Sequence, residues 1–473
     1  MSSKLGRSTK WTTISTIINS GLVLLQLSIL TRFFESEIFG QFAVINLFVE
    51  IFTAFATGGI SSYLIYRKDL TAEQRSTVFW LAALFGVGCF LLFNLLSPVL
   101  LKLYGYPELG QPLLIMSILF ITSAISSQYQ AIALKNFEHA VLAKLEIACR
   151  IIAFSVAMMT IKLGLYCLVV SALTYSLLRF LGCLILFSRK ANFTATWDGT
   201  IGKDAARYGV YAVGGQMMNI TRRQLDSIIL AGTLSISDFG IYHVIKQLAS
   251  RPAKSIQPII NRIALPALGH VRDSIQQSKA MYEGFFLLLS ATLAVVYIPL
   301  IIAAEPIVSV VYGDKYVDHH MILSLLATFW LIRVAGATLI GPVTQSSGRT
   351  KYGFVWNACL LPLSAVVMTI SSQYGIFTVC VSLIALQAIL FPLSQVMLVR
   401  RIIPVSVTRL IASLVVPCVV LSAVALLALW LLPTHIGFQA TGLAIIWIGI
   451  LGIALKTSNP ITQTANSLKN AIQ

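Results

Sequence analysis

Asn219, Arg222, Arg223 and Asp226 stand at i, i+3, i+4 and i+7, the spacing that lines side chains along one face of an α-helix. Guanidinium forks bind phosphate oxygens bidentately, and lysine adds a compact point charge. That second contribution comes from the following segment, where Lys246, Arg251 and Lys254 occur. If the two segments are helices joined near 232–238, Lys246 lies eight residues from the turn and Arg222 ten residues from it. At ~1.5 Å per residue these are roughly 12 and 15 Å, a similar depth on adjacent helices. The chemistry so assembled is the binding of a polyvalent anion, and a pyrophosphate suits it.

These charges stand in apolar surroundings. Of the 473 residues, 57% are hydrophobic and 11% charged, where soluble domains carry roughly 25% charged residues. A charge inside a bilayer costs about 2.5–3.5 kcal/mol even on permissive scales, so each needs a reason. Seven basic residues fall inside apolar runs: Arg150, Arg179, Arg222, Arg223, Lys246, Arg251 and Arg333. Three acids share that depth, Glu50, Glu146 and Asp226. The excess cations must meet water, headgroups or an anionic ligand. Arg222, Arg223, Lys246, Arg251, Arg333 and Arg179 are therefore the candidate pyrophosphate or cavity residues. Asp226 and Glu50 are the candidates for coupling or charge pairing.

Each residue also has a structural reading. One of Arg222 and Arg223 can pair with Asp226, but Asp226 cannot neutralise both. Arg150 is spaced to pair with Glu146 at i, i+4, and Arg179 has the stem to snorkel to an interface. Arg333 and Glu50 can equally pack within their lobes.

The elements that position these groups are membrane-spanning helices. Apolar runs of about 20 residues, each long enough for a ~30 Å hydrocarbon core, recur along the chain. The lengths exclude the ~10-residue alternation of barrel strands. The fold class is all-α integral membrane. Fourteen spans are expected at 11–33, 38–65, 76–101, 112–134, 145–161, 165–187, 207–232, 238–262, 282–303, 320–344, 352–372, 375–399, 409–432 and 438–456. The first span is too long for a cleavable signal peptide.

Basic residues mark alternate connections: Lys4, Arg7 and Lys10; Arg67, Lys68 and Arg75; Lys135 and Lys144; Arg189, Lys190, Lys203 and Arg207; Arg262, Arg272 and Lys279; Arg349 and Lys351; Arg400, Arg401 and Arg409. By the positive-inside rule both termini are cytoplasmic. The net charge of +17 is explained by this bias, so no nucleic-acid partner is implied. The seven cysteines lie within apolar spans and show no metal-ligand spacing.

The chain repeats itself. Leu30-Thr-Arg-Phe-Phe-Glu-Ser-Glu-Ile-Phe39-Gly40-Gln-Phe42 is echoed 200 residues on by Leu230-Ala-Gly-Thr-Leu-Ser-Ile-Ser-Asp-Phe239-Gly240-Ile-Tyr242. Pro98-Val-Leu-Leu-Lys-Leu-Tyr104-Gly105 is echoed at an offset of 208 by Pro306-Ile-Val-Ser-Val-Val-Tyr312-Gly313. Six spans separate equivalent points, so both repeats run the same way through the bilayer. That predicts two six-helix lobes about an axis along the membrane normal, with a cleft between them. Residues 1–200 form the N-lobe, 201–400 the C-lobe, and 401–473 the last two helices and a cytoplasmic tail.

In their order these motifs resemble the polysaccharide transporter family. They include Phe39-Gly40-Gln-Phe42, Gly59-Ile-Ser-Ser-Tyr-Leu-Ile-Tyr-Arg67-Lys68, Arg223-Gln-Leu-Asp226, Phe239-Gly240-Ile-Tyr242, Leu265-Pro266-Ala267-Leu268 and Val311-Tyr312-Gly313. The likeness points to Wzx-type flippases, such as colanic acid exporters, of the multidrug/oligosaccharidyl-lipid/polysaccharide exporter superfamily. It implies fourteen helices, a central cavity and undecaprenyl-diphosphate-linked glycan as cargo. It also implies contact with membrane lipid, and polysaccharide polymerase or assembly proteins as partners.

No phosphate-cradling glycine loop and no HExxH motif is present, so no cofactor, no metal and no ATP hydrolysis is expected. A lipid II flippase remains an alternative, since it too carries an undecaprenyl diphosphate. A multidrug antiporter of the same superfamily would favour an acidic or aromatic cavity. A membrane polymerase or ligase would resemble proteins with one large outer loop, and the longest outer connection here, near 304–319, is short.

Overall fold

The computed structural model describes residues 2–57, 59–67, 70–136 and 138–431. The fourteenth expected span, 438–456, lies outside the described residues. Within them every regular element is helical: α1 (Ser2–Phe33), α2 (Ser36–Thr57), α3 (Ile60–Tyr66), α4 (Ala72–Tyr104), α5 (Gly110–Lys135), α6 (His139–Met159), α7 (Leu165–Ala191), α8 (Gly199–Thr233), α9 (Ile236–His270), α10 (Ile275–Ile302), α11 (Ala304–Tyr312), α12 (His320–Ala337), α13 (Ile340–Ser346), α14 (Thr350–Ser372), α15 (Ile376–Ser394) and α16 (Val407–Leu431). A helix satisfies its own backbone polar groups, which lipid cannot do.

The thirteen expected spans within the described residues are all filled by helix, with two differences in detail. The second is broken into α2 and α3, and the tenth into α12 and α13. The connection near 304–319 contains a further helix, α11, whose Val308 and Tyr312 are fully buried. Its brevity hid it among the spans. Pro306 sits in its first turn, where a missing N–H costs nothing.

The chain packs as two compact units, Met1–His243 and Val244–Gln473, with the boundary inside α9. In the first, α8 packs against α2, α3 and α4, and α5 against α4 and α7. One of its cores is centred on Tyr63, Val78, Tyr129, Phe187 and Ala205. In the second, α10 packs on α12 and α16, and α12 on α15. Its core gathers Tyr282, Phe286, Leu293, Tyr297 and Phe391. Gln395 is fully buried there, accepting from Tyr282 Oη at 2.6 Å and donating to the Gly336 carbonyl at 3.2 Å.

The repeat motif makes a contact of its own inside the first unit. The start of α2 lies against the start of α9, and each glycine faces the other repeat's backbone. A β-carbon on Gly40 would overlap the Ile236 carbonyl, and one on Gly240 would overlap the Ser36 carbonyl. Ser36 and Ile236 are themselves equivalent at the 200-residue offset, so the contact is reciprocal. Ser36 and Ser237 close it through a hydroxyl–hydroxyl hydrogen bond of 2.6 Å. The echoed glycines are thus retained by backbone-to-backbone packing. The second echo has a different cause: Gly105 and Gly313 end α4 and α11 at φ of 81° and 83°, which a side chain would strain.

α9 runs on as one helix although it carries Pro252, Pro258 and Pro266. The buried Tyr297 hydroxyl inserts at Pro252, accepting from the Ala253 N–H and donating to the Ala249 carbonyl, each at 3.1 Å. An inserted side chain of this sort is a recognised cause of helix kinks.

Gly40→Ala is expected to destabilise the protein by about 1–3 kcal/mol, the usual cost of overpacking. Thermal unfolding in detergent measures it, and an unchanged midpoint would contradict the reciprocal contact.

Candidate functional site

The α8 helix presents an exposed polar arc through its middle: Gln216, Asn219, Arg222 and Arg223 are all exposed, and Asp226 continues the same face half-buried. The sequence spacing predicted this face, and the structure adds Gln216 to it. A helix facing only lipid would not keep two guanidiniums on its open side.

The acids nearby accept hydrogen bonds from several donors. Asp226 accepts from the Tyr242 hydroxyl at 2.7 Å and from the Ser227 N–H at 2.8 Å. Glu50 on α2 accepts from Asn46 Nδ2 at 3.1 Å and from Gln224 Nε2 on α8. Glu50 therefore joins α2 to α8 directly beside Arg223. Tyr242 is almost completely buried and lies two residues beyond Gly240, so the repeat contact and Asp226 share one stretch of α9.

Five of the expected site residues, Glu50, Arg179, Arg222, Arg223 and Asp226, thus belong to the first unit. Lys246, Arg251 and Arg333 belong to the second. Lys246 is half-buried. Arg251 donates to Gln247 Oε1 at 3.0 Å, one residue before Pro252 and the Tyr297 bridge. Arg333 lies over Phe329 and Trp330, with its guanidinium carbon 5.4 and 5.1 Å from the ring centroids.

Arg179 stands apart, on α7. It donates to Gln130 Oε1 of α5 at 2.7 Å and to Glu146 Oε1 of α6 at 3.0 Å, tying three helices together. This corrects two expectations. Glu146 pairs with Arg179 across the α6–α7 contact rather than with Arg150 along its own helix. Arg150 instead covers the face of Tyr175 at 3.8 Å, a cation–π contact that takes the place of the ion pair.

Asn46, Gln224 and Tyr242 were not singled out as site residues from the sequence. Gln224 and Tyr242 stand inside the motifs Arg223-Gln-Leu-Asp226 and Phe239-Gly240-Ile-Tyr242, which was the available signal. Asn46 carried its own, one turn before Glu50 on the same helix.

Hydropathy separates the helices in the same way. Ten stretches among the described residues are long and apolar enough to cross a membrane. The remaining long helices are α6, α8 and α9, which carry Glu146 and Arg150, the α8 face, and Lys246 with Arg251. Among the described residues no cluster of His, Cys, Asp and Glu is arranged to hold a metal ion.

Residues 29–320 match a family model described as polysaccharide biosynthesis protein. The chain belongs to this family. Among its relatives, the amylovoran biosynthesis protein AmsL of Erwinia amylovora is 28% identical over 343 residues, covering 70% of this chain and 88% of AmsL. The lipopolysaccharide biosynthesis protein WzxC of Escherichia coli is 24% identical, covering 86% of this chain and 83% of WzxC. Among solved structures, the inward closed lipid II flippase MurJ superposes with a TM-score of 0.70 at 14% identity, covering 95% of this chain and 98% of MurJ. This member of the polysaccharide biosynthesis family is a multi-pass membrane protein with the MurJ fold.

The geometry of Arg179 gives a testable outcome for this family member. Arg179→Gln and Glu146→Gln should each destabilise it by about 1–2 kcal/mol, with the double variant costing less than the sum. A double-mutant cycle on thermal unfolding measures this. Strictly additive losses would remove the ion pair from the account.

Proposed function

We propose that this chain is a flippase. It moves an undecaprenyl-diphosphate-linked oligosaccharide, the repeat unit of an O-antigen or exopolysaccharide, from the cytoplasmic to the periplasmic leaflet by alternating access. The observation that carries the proposal is the exposed arc of Arg222 and Arg223 on the 35-residue helix α8, in a chain of the polysaccharide biosynthesis family. Guanidinium forks suit the pyrophosphate of such a cargo. In this reading Lys246 and Arg251 add charge from α9, and Arg333 and Arg179 are the outlying cations. Glu50 and Asp226 supply charge pairing and coupling to an ion or proton gradient.

The lobes of this mechanism are the repeats, 1–200 and 201–400, with 401–473 outside the duplication. The reciprocal Gly40–Gly240 contact supports that division, because equivalent residues of the two repeats meet there about a local two-fold. It is the seam that parts when the outer side opens. The alternation of basic connections supports a bacterial inner membrane location with both termini cytoplasmic. In this reading the chain transports without catalysis, and polymerase or assembly proteins are the partners that such a product requires.

The MurJ fold keeps lipid II as a second reading, since a lipid diphosphate would meet the same arginines. A multidrug antiporter fits less well, because exposed guanidiniums repel organic cations.

Neutralising Arg222, Arg223 and Lys246 together to glutamine should reduce surface glycan by about tenfold or more at normal protein level, the loss of roughly 1.4 kcal/mol or more of productive binding. Unimpaired surface glycan would rule the cluster out as the pyrophosphate site. A Ser36→Cys/Ser237→Cys pair should form a disulfide on oxidation and arrest export reversibly. Export that continues through the cross-linked protein would show that the seam need not part.

A further inference from the structure

Well away in sequence from the α8 face, α10 and α16 form an open pocket of about 410 Å³, lined by Glu283, Leu287, Arg409, Ala412 and Ser413 among others. Among the described residues, Glu283 buries Oε1 with no hydrogen-bond partner. A buried carboxylate oxygen without a donor is costly, so the pocket is built for a ligand that brings one.

Its position says which ligand. Arg409 is the third residue of α16, and Glu283 lies eight residues, about 12 Å, into α10. Both helix starts are flanked by basic residues, Arg272 and Lys279 on one side and Arg400 and Arg401 on the other. Such clusters mark the membrane–water interface, the level of lipid headgroups. Toward the membrane interior the surface turns apolar: Leu287 is 39% exposed, and Val416 and Val420, one and two turns beyond Ala412 on its face of α16, are 58% and 55% exposed.

We infer that this pocket binds the headgroup of a zwitterionic phospholipid with a primary ammonium, of the phosphatidylethanolamine class. The Arg409 guanidinium and Ser413 hydroxyl take the phosphate, and the positive end of the α16 dipole reinforces them. The Glu283 carboxylate accepts from the ammonium, and Leu287, Val416 and Val420 lie along an acyl chain. A phosphatidylcholine has no N–H to give Glu283, and a phosphatidylglycerol brings no cation to it. The pocket thus discriminates by hydrogen-bond donor as well as by charge.

Native mass spectrometry and thermal unfolding of the full chain in mixed micelles test this, with phosphatidylethanolamine, phosphatidylcholine, phosphatidylglycerol or inorganic phosphate added. Wild-type protein should retain phosphatidylethanolamine about tenfold better than either other lipid and should melt at a higher temperature with it. Glu283→Gln should bring phosphatidylethanolamine down toward the phosphatidylcholine level, and Arg409→Gln should weaken all three lipids. Equal retention of phosphatidylethanolamine and phosphatidylcholine by wild-type protein would overturn the proposal without need of a variant. So would tighter binding of phosphatidylglycerol, or full competition by inorganic phosphate, which would mark a simple anion site.

Discussion

The contact on which the first unit turns is the one between the starts of α2 and α9. Its closeness leaves no room for a β-carbon on either side: Gly40 faces the Ile236 carbonyl, and Gly240 faces the Ser36 carbonyl. Such an approach has no hydrophobic contribution to draw on in lipid and depends on van der Waals packing and a hydroxyl bond. The consequence reaches further than the glycines. It fixes where α9 begins, and so where Tyr242 stands, and Tyr242 is the donor to Asp226. It also fixes the register of α2, whose Asn46 and Glu50 follow within three turns and meet Gln224.

The polar helices are kept in place by such specific bonds because hydrophobicity does little for them. Each of α6, α8 and α9 falls short of the apolar stretches elsewhere in the chain, and each is tied by side chains from a neighbour. Arg179 secures α6 from α7, Glu50 secures α8 from α2, and Tyr297 of α10 holds α9 beside Pro252. Its hydroxyl bridges the Ala253 N–H and the Ala249 carbonyl, so both backbone groups have a partner at the proline.

Much of this was legible in the sequence, since both the span pattern and the polar face of α8 follow from periodicity. The runs that the described helices fill were countable, and Arg222 and Arg223 share a face by spacing alone. The two breaks, after α2 and after α12, were not legible, because an apolar run gives no sign of where the helix axis turns. Partner choice across helices was also hidden. Arg150 lies one turn from Glu146, and local spacing favours that pair, but the α6–α7 contact gives the carboxylate to Arg179 and the guanidinium of Arg150 to an aromatic face. The repeat was visible as letters, whereas its meaning was not: Gly40 and Gly240 match because they touch each other.

That meaning also bears on how the site's charges are arranged. Glu50 and Asp226 accept hydrogen bonds from Asn46, Gln224 and Tyr242, which orient the two carboxylates. The donors sit on α2, α8 and the first turns of α9, the segments that the glycine contact brings together. A rigid helix carries a displacement at Gly240 to Tyr242 within one turn. The geometry at the seam and the electrostatics beside Arg222 and Arg223 are therefore set by the same few residues.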